Sequence, residues 1–197
     1  MKQTVFIVLF LLLPLGMKAQ FSIGLRDSKY VGVSYTHKNS LGIGLEHSVF
    51  SQEVKTQYVR ATMSYANLLN GFDYKAGIYY GTPYDGEYYN CGMMLSANYG
   101  ISKAISLMAT LNPHYDSYFE YKTCFDAGAS FRLCTDISAL LSYSTIPEFR
   151  QDEKRVKVGF NLTVQHLSVS PYLSIPAEGP MKSARLLVNI NYVFKGR

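Results

Sequence analysis

The stretch that decides the fold is the last one, Ala184-Arg185-Leu186-Leu187-Val188-Asn189-Ile190-Asn191-Tyr192-Val193-Phe194. Ala184, Leu186, Val188, Ile190, Tyr192 and Phe194 share one parity, and Arg185, Asn189 and Asn191 the other. Successive side chains of a strand leave on opposite faces, so this alternation describes a strand with one apolar and one polar side. The same pattern runs back through the chain. Val156, Val158, Phe160, Leu162 and Val164 alternate with Lys157, Gly159, Asn161 and Thr163, and Phe125, Ala127, Ala129 and Phe131 with Asp126, Gly128, Ser130 and Arg132. Earlier, Phe72, Tyr74, Ala76, Ile78 and Tyr80 interleave with Asp73, Lys75, Gly77 and Tyr79. Counting a short first segment at Phe21, Ile23 and Leu25, and a weaker one around Leu167 to Ile175 broken by Pro171, the chain holds twelve such segments. Without those two, the count is ten.

Twelve strands exceed an ordinary small sandwich, and the polar faces are too charged to form a second packed core. A closed barrel, apolar outside and wet inside, satisfies both faces. The fold expected is therefore all-β, an up-and-down antiparallel transmembrane β-barrel of about twelve strands, alternatively ten; a soluble barrel or sandwich is the competing arrangement. Residues 1–20 are read as a secretory signal peptide and 21–197 as the barrel. Lys2 precedes the apolar run Val5 to Leu15, and Ala19 supplies the small residue near the cut. Eleven apolar residues are too few for a spanning helix, which needs about 20.

The whole chain of 197 residues carries a net charge of +5. Removing Lys2 and Lys18 with the leader leaves 17 basic and 14 acidic residues, a surplus of three that gives no support to nucleic-acid binding. Cys91, Cys124 and Cys134 are odd in number and lack zinc spacing, so neither a disulfide framework nor a metal or other cofactor is expected.

Connection lengths give a second line of argument. Short turns are expected at His37 to Ser40, Asn67 to Gly71, Ser102 to Ala104, Cys134 to Asp136 and Gln165 to His166. The opposite, outer connections are read as Asp27 to Lys29, Ser51 to Lys55, Gly81 to Asn90, Asn112 to Lys122, Pro147 to Lys154 and Pro176 to Ser183, most of them longer. Tyr35, Tyr65, Phe72, Tyr99, Phe131, Tyr192 and Phe194 fall at the short-turn ends on the apolar face, as an interfacial girdle requires. The ending Tyr192-Val193-Phe194 resembles the aromatic-rich last strand of bacterial outer-membrane β-barrel proteins, although Lys195-Gly196-Arg197 follows it where that family usually ends on the aromatic residue. The resemblance is to porin-like barrels in general. It implies outer-membrane localisation and contact with outer-membrane lipids, and it names no partner protein.

Parity sends Arg26, Arg60, Lys75, Arg132, Lys157 and Arg185 to the inner wall against Glu46, Asp73 and Asp126. A surplus of positive charge in a lumen favours anions, so passive diffusion of small anionic or saccharide solutes is the leading functional expectation. A closed lumen with ion pairs across it, leaving a structural or interaction barrel, is the alternative. In that case the aromatic outer residues Tyr84, Tyr88, Tyr89, Tyr115, Tyr118, Phe119 and Tyr121 form the contact surface. Catalysis is not expected. The nearest match to a hydrolase dyad is His166-Leu167-Ser168, the arrangement of outer-membrane lipid-cleaving enzymes, and no third orienting group accompanies it. His47-Ser48 are adjacent and leave a strand on opposite faces.

Overall fold

A computed structural model describes residues 19–37, 40–48, 58–69, 72–84, 88–118, 120–146, 154–178 and 184–195. The expected signal segment up to residue 18 and the expected connection Ser51 to Lys55 lie outside the described residues. The elements are β1 (Ala19–Arg26), β2 (Tyr30–His37), β3 (Leu41–Ser48), β4 (Tyr58–Leu69), β5 (Phe72–Pro83) and β6 (Asn90–Gly100). They continue as β7 (Ile105–Asp116), β8 (Glu120–Arg132), β9 (Ile137–Ser144), β10 (Arg155–Val164), β11 (Leu167–Pro176) and β12 (Arg185–Lys195). Each strand pairs antiparallel with its sequence neighbours, and β12 returns to β1 to close a twelve-stranded barrel. The closing seam runs from Gln20 opposite Lys195 to Leu25 opposite Ile190. Closure gives each of the twelve strands a partner on both sides, which is the condition for backbone to cross hydrocarbon.

Both doubtful segments are full members of the sheet. β1 starts at Ala19, two residues before the expected start, with Gln20 paired to Thr36. β11 runs unbroken through Pro171, which stands opposite Val188 of β12. The expected outer connections Gly81 to Asn90 and Asn112 to Lys122 are shorter than read. β5 continues to Pro83, β7 to Asp116, and β8 begins at Glu120, so between β7 and β8 only residues 117–119 remain. The misreading came from the composition of Asn112-Pro113-His114-Tyr115-Asp116, which looks like a turn by residue type. Its alternation nevertheless persists, with Asn112, His114 and Asp116 buried inside and Tyr115 exposed.

The burial is inverted relative to a water-soluble protein. Among the described residues the buried positions are rich in small and polar groups, such as Ser142, Ser144, Ser174, Asn112 and Arg155, while Ile78 (54% exposed), Phe160 (51%) and Leu186 (74%) face outward. A continuous apolar exterior of this kind is untenable in water and is what a barrel in lipid requires. Aromatic rings border it at both ends. Phe72 lies against Tyr99, Phe21 against Phe194, and Tyr192 against Phe194 at the short-turn end. At the other end Tyr89 packs on Tyr80 and Tyr115, and Phe125 on Tyr143.

Candidate functional site: the lumen

Cross-strand partners in an antiparallel sheet share a face, so the register fixes the inner wall without reference to hydropathy. Arg26 stands beside Tyr30, Tyr30 opposite Ser48, and Glu46 opposite Arg60. Around the remaining circumference Lys75 faces Ser96, Asp73 faces Asn98, Asp126 faces Ser144, Arg132 faces Ser138, Lys157 faces Ser142, and Arg185 faces Ser174. All nine residues of the inner-wall pattern thus lie on one parity. The structure does not bring all nine together.

Arg26, Glu46, Arg60 and Lys75 line one cavity of about 500 Å³, bounded by β1 to β6 and β12. Its wall is built from small and hydroxylated side chains, including Ser22, Gly24, Gly32, Ser34, Gly44, Thr62, Ser64 and Ser96. Small residues at these positions are what leave the space. Lys157 and Asp126 form a separate pair at 3.3 Å on the far wall, where Lys157 also lies over the Tyr172 ring. Asp73 and Arg132 sit near the short-turn ends of β5 and β8 without an ion pair among the described residues.

The loop-side end of the cavity carries a charged cluster. Arg26 donates from Nε and Nη2 to the two carboxylate oxygens of Glu46, at 3.0 and 2.9 Å, and pairs with Asp27 at 2.8 Å. Arg60 Nε lies 3.3 Å from Glu46 but is not aimed at it, and this N–H has no hydrogen-bond acceptor among the described residues. Both guanidinium groups rest on rings, Arg26 on Tyr30 and Arg60 on Tyr79. Asp27 is held in turn by the Tyr172 hydroxyl at 2.6 Å, while its own backbone N–H donates to Asn189. Such fixed charges keep their positions, because every group has a second contact.

A second network braces the residues between β5 and β6 against β7. The Tyr58 hydroxyl donates to Asn90 Oδ1, Asn90 donates to the Tyr88 hydroxyl, and Tyr88 donates to Asp116. Burial, together with the adjacent Asp116 carboxylate, pushes the Tyr88 phenol well above its ordinary range, so it remains a hydrogen-bond donor. Of the outer aromatic residues, Tyr88 is interior, while Tyr84, Tyr89, Tyr115, Tyr121 and Tyr118, which packs on Tyr88, are exposed. Phe119 lies outside the described residues.

The dyad reading does not survive the geometry. Ser168 Oγ donates to Asn161 Oδ1 at 2.9 Å, on the inner face, whereas the His166 ring packs edge-on against the outward Tyr192. His47 likewise packs on Tyr84 while Ser48 Oγ accepts from the Tyr58 backbone inside. Sequence reasoning overlooked Asp27, Tyr30, Tyr58, Asp116, Arg155 and Tyr172 as interior groups. Parity alone would have found Arg155, two residues before Lys157, but it stood next to an assigned loop.

No family model and no curated protein matches the chain in sequence. Solved structures do match in shape. A KdgM porin in complex with disordered oligogalacturonate superposes with a TM-score of 0.66 at 12% identity, over 89% of this chain and 98% of that one. The NanC porin superposes with a TM-score of 0.55 at 10% identity, over 91% of this chain and all (100%) of its own. The chain has the fold of these small porins. Each match spans the other protein nearly end to end, so the likeness is one of the whole fold, at 10–12% sequence identity.

Proposed function

We propose that this protein is an outer-membrane diffusion channel for small anionic or saccharide solutes, without catalytic activity. The observation that carries the reading is the cavity: about 500 Å³ of space inside a barrel, with Arg26, Arg60 and Lys75 against Glu46 as its charged lining. That imbalance gives a positive field in a low-dielectric enclosure, which concentrates anions, and the many hydroxyls and amides around it suit sugar hydroxyl groups. Arg132 and Arg185 extend the positive character along the rest of the inner wall, where Lys157 is offset by Asp126. The KdgM and NanC likeness supports a porin-type barrel, and the former was solved with an acidic oligosaccharide.

The deciding experiment is single-channel recording from refolded protein in a planar bilayer under a potassium chloride gradient. Stable steps with a reversal potential on the chloride side are expected. A second reading has its own observation: the Arg26–Glu46–Arg60 and Lys157–Asp126 pairs fill part of the lumen with neutralised charge. A folded barrel that conducts nothing would favour this closed form, with the exposed tyrosines of the loop end as a contact surface.

A further inference from the structure

The channel reading leaves open which residue sets the charge that a solute meets, and the cluster at the loop-side end of the cavity singles one out. Glu46 is the acidic residue of the cavity lining, and it faces two arginines at once. Their remaining contacts are unequal. Arg26 has a second carboxylate, Asp27, and a ring, Tyr30. Arg60 has Glu46 at 3.3 Å and the face of Tyr79, and its Nε–H is without an acceptor among the described residues. Taking the negative charge from Glu46 therefore leaves Arg26 neutralised by Asp27 and leaves Arg60 an uncompensated guanidinium in the cavity wall.

We infer that Glu46 is the selectivity-determining residue of the lumen: its carboxylate cancels Arg60 and thereby limits how strongly the cavity attracts anions. Arg60, with an N–H still unoccupied and a planar donor fork, is the group that contacts a passing carboxylate or chloride once Glu46 is neutral. Glu46 acts through Arg60 and is a positioning residue. The inference rests on the channel reading, and its test separates the two.

The measurement is the reversal potential in a potassium chloride gradient for wild type, Glu46→Gln, Arg60→Gln and Glu178→Gln, each first shown to be folded by heat-modifiable mobility on gels. Glu46→Gln is expected to raise the chloride-to-potassium permeability ratio by roughly threefold, the factor for a unit-charge interaction about 6 Å away screened by water. Arg60→Gln should lower it. Glu178→Gln removes one exposed carboxylate that pairs with Lys154 at the same end but outside the cavity, and should leave the ratio where it was. A conducting wild type whose ratio is unmoved by Glu46→Gln, or moved equally by Glu178→Gln, overturns the inference while the channel reading stands. A silent wild type overturns the channel reading and, with it, the inference, even where Glu46→Gln conducts. Should Glu46→Gln fail to fold, Arg60→Gln decides, since an unchanged ratio there removes Arg60 from the path.

Discussion

At the scale of single residues the barrel depends on where bulk is absent. Gly159 lies on the inner wall opposite Tyr172, and a Cβ there would sit 2.4 Å from the Pro171 carbonyl oxygen and 2.5 Å from Tyr172 Cβ. Backbone and a buried ring have no room to retreat, so Gly159→Ala is expected to cost about 1–3 kcal/mol, the range for overpacking. Gly100→Ala is its counterpart, because the nearest atom to a Cβ there is 4.0 Å away. Urea titration of the folded fraction should show a lowered midpoint for Gly159→Ala and an unchanged one for Gly100→Ala. Tyr172 explains why the site is tight: its hydroxyl must reach Asp27, which anchors Arg26. One glycine thus positions the charged cluster through a ring. The sequence displays Gly159 as one more small inner residue, and nothing in its alternation marks it as different from Gly100.

At the scale of the strand the two faces carry opposite requirements, and exchanging them should be costly on one side alone. Ile78, near the middle of β5, is exposed between Met63 and Met93 on the neighbouring strands, themselves outward and exposed. Ile78→Arg places a charge at mid-height on the lipid side and should cost about 2–4 kcal/mol of folding free energy in a bilayer. Ser96→Arg, on the cavity wall, adds a charge beside water-accessible space and should fold with a far smaller loss. Folding into lipid vesicles across a urea series checks both; equal losses would mean that the faces are assigned wrongly. Strand faces were legible in the sequence, since parity depends only on the backbone. Strand ends were not. The polar run Asn112 to Asp116 reads as loop by residue type, yet it continues β7 because its polar members point to a polar lumen.

At the scale of the whole molecule, stability rests on closure, because the interior among the described residues supplies small and polar groups in place of a large apolar core. The seam from Gln20↔Lys195 to Leu25↔Ile190 joins the two ends of the chain, with Phe21 and Phe194 in ring contact across it. A chain ending at Asn189 keeps most of the strands but exposes the edges of β1 and β11 where β12 is missing. It is expected to lose the compact, heat-modifiable band on gels and to aggregate through those edges, whereas a closed monomer would contradict the closure argument. By itself the sequence determined that strands alternate in polarity, that about twelve are present, and that the polar parity holds more basic than acidic residues, because parity follows from the period-two geometry of extended backbone. Only the tertiary structure decided which inner charges meet. Glu46 and Arg60 are directly opposed across β3 and β4, yet Arg26 reaches Glu46 across β2. Asp27 meets Tyr172 from the other end of the chain. Those encounters depend on register, on strand tilt and on the closing seam, which bring distant residues to one height on a curved wall that no linear reading of alternation contains.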